Sequence, residues 1–453
     1  MMLPPDLREW IPENSMVHFV IEAVEMLDIQ NFSVNHRGTG DLQYPPGMML
    51  ALLIYSYATG RFSSRVIENA TWYDVAIRYI CGGDKHPDHD TICAFRTRNR
   101  EAFKEAFVKV LMLAQELGYL KQIGGVAIDG TKIKANASKH AAVSYKRAGE
   151  MIRQLELEIE QLTRKAEQAD STPLEEGLSL PEEIARRVDR KASLATARKI
   201  IEERYEEAKR HKQADYEIKQ KDRDEQRKNG NKPRGREPQP PSDTPPDKSQ
   251  FNFTDQESRI MKAGSGDHME QAYNAQAAID TEGSMLLLGV YVTDHANDKR
   301  ELNPAVQSVA PEVRLIDTVC ADTGYFSEEA VQTTEAEGKG PVVYCAMEKQ
   351  GHHRTVADLE RKPEPEAPPE TATVKERMAY RLKTATGRNI YKKRKETIEP
   401  AFGIIKSILG FDQFLMRGLE KVSIEWDLVT LAYNVKRFYR MTGGTLMQLP
   451  VKA

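Results

Sequence analysis

The first 120 residues carry apolar positions at three-to-four spacing, the period of helices that bury one face. Four segments show it: Met16 through Leu27, Met48 through Tyr57, Val66 through Ile80, and Phe103 through Leu117. Pro45 and Pro46 suit the opening of the second, since a first helical turn needs no N–H from proline, and Gly60 suits its close. Asp90 is placed to cap a short helix, TICAFRTRNR, that displays Arg96, Arg98 and Arg100. Several short helices with a basic one among them fit a DNA-binding module, with Arg96 as a candidate DNA contact. An ordinary bundle with solvated arginines fits the pattern equally well.

At about residue 122 the period changes. GGVAIDGTKIKANAS reads as a short apolar run, a turn and then alternation, which predicts a strand leading into a hairpin. The same texture returns in EQAYNAQAAID and SMLLLGVYVT, paired strands joined by Thr281-Glu282-Gly283. VRLIDTVCADTGY and GPVVYCAM predict two more strands, with helical SEEAVQTTEAEG between them. Strands alternating with helices after an initial hairpin imply a mixed α/β sheet.

Between these stretches lies an insertion at 141–250. Ile152, Leu155, Ile159 and Leu162 recur at helical spacing, and Leu194, Ala197, Ile201, Tyr205 and Ala208 repeat the habit after Pro173 and GLSLPEE, which predicts a helical, coiled-coil-like hairpin. Its last part, KDRDEQRKNGNKPRGREPQPPSDTPPDK, is charged, proline-rich and free of apolar residues, so it reads as a disordered linker. The domain reading is therefore 1–120 helical, 121–140 with 251–445 as the α/β domain, and 141–250 as the insertion.

Composition changes this picture little. No apolar run approaches the length of a membrane span, and MMLPPDLREW lacks the features of a secretory signal, so the expected location is cytoplasmic. Four cysteines are too few and too scattered for a disulfide framework. Cys81, His86, His89 and Cys93 lie close together, but their spacing is not that of a standard zinc site, and a loop and helix start account for them. The net charge of −3 speaks against nucleic acid until its distribution is seen. From Lys375 to Arg440 there are 15 Lys and Arg against 7 Asp and Glu. Over a Debye length of about 10 Å such a local patch, rather than the total, sets the attraction for phosphate.

Among 68 acidic residues, position must select any site. Asp129 ends VAID before a glycine, and Asp322 ends TVCAD before Thr-Gly. If the two strands are neighbours, both carboxylates leave the same rim, an arrangement that holds hard divalent cations; each alone is ordinary turn chemistry. A third candidate lies in YKKRKETIEPAFGIIKSILGF. There Ile398, Ala401, Phe402, Ile405 and Leu409 form an apolar helical stripe, and Lys395, Glu399 and Lys406 share another face. Pro400 requires either that this helix begin near Thr397 or that it kink. His352-His353, in a glycine-rich loop, are not expected to bind metal, and Trp426 and Tyr433 are expected in the core.

Three segments together resemble DDE-type transposases of bacterial insertion sequences: AIDGTKIKANASK, CADTGY, and YKKRKETIEPAFGIIKSILGF with the following FLMRGLEKVSIEWDLVTLAYNVKRF. LQYPPGMMLALLIYSYATGRFSSRVIE with PDHDTICAFR is similar to the helical domain that precedes the catalytic core in those proteins. The resemblance implies a ribonuclease H-like α/β fold, preceded by an all-helical domain and interrupted by the hairpin insertion. It implies an acidic triad at Asp129, Asp322 and Glu399, holding two Mg²⁺ or Mn²⁺ ions. The family signature of Tyr, Arg, Glu and Lys falls on Tyr391, Arg394 or Lys395, Glu399 and Lys406, as candidate DNA contacts. Tyr391 and Arg394 stand one residue further from Glu399 than in the commonest version, which leaves Glu396 as a lesser rival. The implied partners are double-stranded DNA, as terminal inverted repeats and target, and further copies of the chain assembled on it, with no membrane. A metal nuclease that cuts without joining, and a DNA-binding descendant without catalysis, are the alternatives.

Overall fold

The computed structural model describes residues 6–27, 31–32, 43–168, 179–228, 237–262, 268–347, 364–369 and 371–446. The chain forms two compact units, Met1–Asn136 with Met261–Ala453, and Ala137–Ile260. The first unit opens with α1 (Met16–Met26), α2 (Pro46–Ala58), α3 (Ser64–Tyr73), α4 (Val75–Ile80), α5 (His89–Arg98) and α6 (Arg100–Glu116). The single helix expected over 66–80 is two, because Asp74 is extended at their junction. Asp74 Oδ1 accepts from Ile77 N at 3.1 Å and so starts α4, while Oδ2 pairs with Arg61 at 2.8 Å. Asp88, rather than Asp90, caps α5, accepting from Thr91 N at 2.6 Å; Asp90 lies in the first turn, where a carboxylate suits the helix dipole.

α1, α2, α5 and α6 pack against Leu419–Thr442, a C-terminal helix with few exposed positions. Phe19 meets Phe438 edge-on, and Phe411 stands between Phe62, Phe414 and Trp426. Trp426 and Tyr433 are both in the core, as expected.

β1 (Ile123–Lys134) follows α6. It is one unbroken strand of 12 residues, so the turn expected at Gly130 is absent. Glycine is needed there for close approach: a Cβ would stand 2.3 Å from Gln276 Nε2 and 2.8 Å from both Asn274 Oδ1 and Asp298 Oδ1.

The second unit pairs β2 (Ala142–Ser144) with β3 (Gln250–Asn252) and carries α7 (Tyr145–Gln168) and α8 (Leu180–Lys228). Leu155 of α7 packs with Leu194, Ala197 and Ile201 of α8, over Val143 and Phe251. Arg187–Glu158 at 2.9 Å and Lys191–Glu156 at 2.8 Å flank this seam. The connection at 169–178, with Pro173, lies outside the described residues. KDRDEQRK, expected to be disordered, continues α8, since Lys, Glu, Gln and Arg are good helix formers. Residues 237–248 have little regular structure yet are tied down, Tyr205 by its hydroxyl to Ser242 O at 2.9 Å and Lys209 to Asp243 at 3.1 Å.

A six-stranded mixed sheet follows. β4 (Arg259–Lys262), β5 (Met269–Asp280), β1, β7 (Leu315–Ala321) and β8 (Val342–Cys345) stand in that order, with β6 (Leu287–Thr293) also on β5. β5 is antiparallel to β1 and to β6, and β7 is parallel to β1 and to β8. α9 (Leu302–Gln307) packs on β1, β5 and β6, and α10 (Glu328–Glu335) packs beside α9. α11 (Val374–Lys383) leads to α12 (Ala385–Gly403), which crosses β1, β5, β7 and β8; the C-terminal helix is α13. Arg314, fully buried, holds the closing end of β5 through Asp280 at 2.7 Å, and Asp280 also accepts from Ser284. No helix of the described residues is long and apolar enough to cross a membrane.

Burial pushes Asp427 of α13 up to about 7, with Lys104 and Arg100 opposing the shift. The native state therefore holds a proton up to about pH 7 that the unfolded chain releases near 3.8, and its contribution to stability falls as pH rises through that window. Asp427→Asn is expected to stabilise the protein by about 2–4 kcal/mol at pH 8. The gain should vanish below about pH 4 in urea titrations; a pH-independent effect would refute this account.

Candidate active site

β7 pairs with β1 only as far as Ala127. Asp412 and Phe414 take up the same edge again at Lys134, with Lys134 N donating to Asp412 O and Phe414 N to Lys134 O. Between these points the edge of β1 is open, and its backbone groups take side-chain partners. Gly130 N donates to Asp129 Oδ1 at 2.9 Å, and Lys406 Nζ donates to the Lys132 carbonyl at 2.8 Å. Asp129 thus stands at the gap, in the middle of a strand rather than at its end. Asp322 follows directly where β7 stops, on the neighbouring strand. It caps the turn Thr323–Tyr325, accepting from Gly324 N at 2.7 Å, and its carbonyl accepts from Cys345 Sγ at 2.9 Å.

α12 supplies the third wall. It starts well before Thr397, where Thr384 accepts from Gly387 N at 3.0 Å, so Pro400 lies inside the helix. A π-helical turn, Ile404–Ile408, follows within one turn of Pro400, and Leu409 N reaches back to Ile404 O. The apolar stripe Ile398, Ala401, Phe402, Ile405 and Leu409 is buried, which turns Glu399 outward, half-exposed.

One buried guanidinium joins these parts. Arg394 Nη1 donates to Asp129 Oδ2 at 3.1 Å, and Nη2 donates to Glu399 Oε1 at 3.0 Å. Burial pushes the Asp129 carboxyl up to about 7; Arg394 opposes the shift and the Asp322 charge adds to it. The Tyr391 phenol is raised by burial, against its hydrogen bond with Arg394. Lys406 is lowered by burial, against the attraction of Asp412. Lys395 is exposed, and Glu396 pairs outward with Lys392 at 3.1 Å, away from the three acids.

Other residues marked from the sequence go elsewhere. Arg96 is 3 % exposed, and its guanidinium donates to Tyr57 Oη, the Phe62 carbonyl and Cys93 Sγ. It therefore locks α5 to α2 and offers no surface to DNA. Cys81 is buried, His86 stacks on Trp72, His89 faces Glu68 and Cys93 faces Ser64, so these four do not converge. His352 and His353 lie outside the described residues. Asp298 was missed: it follows β6 without a recognisable pattern, yet a Cβ at Gly324 would lie 3.7 Å from its Oδ2 and 3.0 Å from Asp322 Oδ1.

Among the described residues no three His, Cys, Asp or Glu side chains are drawn around one point. The donor chemistry nevertheless fits a hard divalent cation. Asp129, Asp322 and Glu399 offer only oxygen, and the single positive charge of Arg394 is divided between two of them. Arg394→Ala would leave Asp129 without its counter-charge and is expected to cost about 3–5 kcal/mol at pH 8. Lys395→Ala should change stability by less than about 0.5 kcal/mol. Equal losses in urea unfolding would contradict the division of roles between these adjacent cations.

Two family models match the chain: Transposase DDE domain over residues 234–435, and Transposase domain (DUF772) over residues 5–98. No curated protein and no solved structure matches. The first match contains Asp322, Arg394, Glu399 and Lys406, the second spans α1 to α5, and Asp129 lies outside both. With two transposase models covering about two thirds of its length between them, the chain belongs to the DDE transposases.

Proposed function

We propose that this transposase cuts DNA at the ends of an insertion sequence and joins those ends to target DNA by metal-dependent displacement at phosphorus. The catalytic domain is of the ribonuclease H-like kind, 121–140 with 251–445. Residues 1–120 serve DNA binding, and the insertion at 141–250 serves assembly on DNA. The observation that carries this reading is the Arg394 bridge, which gathers Asp129 and Glu399 from distant parts of the sequence at the gap where Asp322 also emerges.

Asp129, Asp322 and Glu399 are the residues that would hold Mg²⁺ or Mn²⁺, as a pair of ions. Such ions supply Lewis-acid activation of the attacking hydroxyl and neutralise charge on the departing oxygen. Arg394, once its carboxylates have a stronger partner, presents a planar fork matched to a phosphate. Lys406 stands at the same rim, and exposed Lys395, with Tyr391 behind Arg394, extends the phosphate contacts along α12. Water, or later a free 3′-hydroxyl, forms the new bond to phosphorus and gives up its proton to solvent, while the bond to the old 3′-oxygen breaks and that oxygen takes a proton in return. No covalent protein–DNA bond and no ATP enter. Two DNA ends must be handled together, so the active form is at least a dimer on DNA, cytoplasmic and bound to the nucleoid.

The test is cleavage and joining of labelled DNA carrying the terminal repeats, with Mg²⁺, Mn²⁺ or EDTA. Metal-dependent nicking with joined products is expected. Nicking alone would make the protein a nuclease, and binding without cutting a DNA-binding descendant. Asp129→Ala should lower cleavage by at least about 10³-fold while gel-shift binding persists; undiminished cutting would remove Asp129 from the site.

A further inference from the structure

We propose that Asp298 is a positioning residue that fixes the height of Asp322 against Asp129, an inference that rests on the metal-dependent reading above. Asp129 and Gly130 are successive in β1 and face opposite sides of the sheet. Arg394 meets Asp129 on one side, while Asp298 lies under Gly130 on the other. Its Oδ1 accepts from Asn274 Nδ2 at 2.7 Å, Gln276 Nε2 at 2.8 Å and Lys132 Nζ at 3.3 Å. β1 and its partner β5 are therefore held by one carboxylate oxygen.

The net continues to the other aspartate. Gln276 Oε1 accepts from the Tyr325 hydroxyl, and Tyr325 belongs to the turn that Asp322 caps. Asn274, Gln276 and Tyr325 are all fully buried. Because the β1–β7 ladder ends at Ala127, it has no rung at the level of Asp129 and Asp322. Lys132, Asp298, Gln276 and Tyr325 supply a side-chain tie in place of that rung. Gly130 leaves the room that lets the net lie against β1, since any Cβ there would strike Gln276, Asn274 and Asp298 together. With its Oδ1 engaged by three donors, Asp298 acts on the site through the neighbours it holds.

The experiment is calorimetric titration of the full-length protein with Mn²⁺ in the absence of DNA, with thermal unfolding and single-turnover cleavage on the same samples. Asp298→Ala should weaken Mn²⁺ binding by about tenfold or more, with most of the cleavage rate recovered at saturating Mn²⁺. Asp298→Asn keeps the acceptor oxygen and should stay within about threefold of wild type. Tyr325→Phe cuts only the link to the Asp322 turn and should weaken Mn²⁺ binding in the same direction. It decides the matter if Asp298→Ala does not fold. Unchanged Mn²⁺ affinity in folded Asp298→Ala or in Tyr325→Phe overturns the proposal. So does a loss in Asp298→Asn equal to that in Asp298→Ala, which would mean the charge acts directly on the ion. Wild-type protein that binds no Mn²⁺ would remove the metal-dependent reading itself, and this inference with it.

Discussion

Two carboxylates from distant parts of the chain, Asp129 and Glu399, meet at one rim, and the arrangement depends on a counter-charge placed between them. Arg394 is that charge, and much of the architecture can be understood as what holds it in place. α12 must start early enough, at its Thr384 cap, to bring Arg394 over the centre of β1 while still carrying Glu399 to the surface. Its apolar stripe fixes the rotation of the helix, and the aromatic cluster around Phe411 and Trp426 fixes the segment that follows. A second buried arginine, Arg314, does related work at the other end of the sheet, where it joins the chain entering β7 to the end of β5. β1 lies between these two ionic ties. Buried pairs of this kind contribute little net stability, but losing one partner is costly, which favours a single register of the strands.

Much of this was legible in the sequence because it rests on periodicity. The strand pairs, the helix between β7 and β8, and the packing stripe of α12 all repeat at 2 or 3.6 residues. Asp129, Asp322 and Glu399 are singled out by resemblance, and the first two also by the glycines that soon follow them. What remained hidden depends on contacts across the chain. Gly130 looks like a turn residue and is a spacing residue, a difference decided by Asp298, Asn274 and Gln276 far away in sequence. Arg394 and Lys395 are adjacent and alike in charge; only the rotation of α12 against the sheet sends the first inward. Arg96 shows the reverse error, since an arginine on a basic helix is indistinguishable by spacing from one that holds a core together. Asp88 begins its helix two residues before the expected cap at Asp90, and Asp74 divides a stretch that the apolar pattern reads as one helix.

The open stretch of β1 shows how a sheet can make a site without a loop. A ladder that stopped at Ala127 and never resumed would leave a frayed strand end. Here the edge is taken up again at Lys134, so the strand stays straight through Asp129 while a few of its backbone groups seek side chains. Asp129 and Lys406 answer that demand from their own positions, and the acid and the cation are thereby fixed at the rim by main-chain hydrogen bonds.

The second unit interrupts the connection between β1 and β5, the two strands with the longest shared register in the sheet. A flexible segment of that length would make their pairing a distant encounter, slow to find in a folding chain. Yet β2 and β3 pair near the two ends of the unit, Ala142 opposite Asn252. Once the unit has folded on its own core, the points where the chain enters and leaves it are side by side. β1 and β5 are then separated by the residues 135–141 before β2 and 253–268 after β3, rather than by the whole insertion, and the entropy of closing them falls accordingly. An inserted piece that closes on itself in this way shortens the effective distance along the chain between the two central strands.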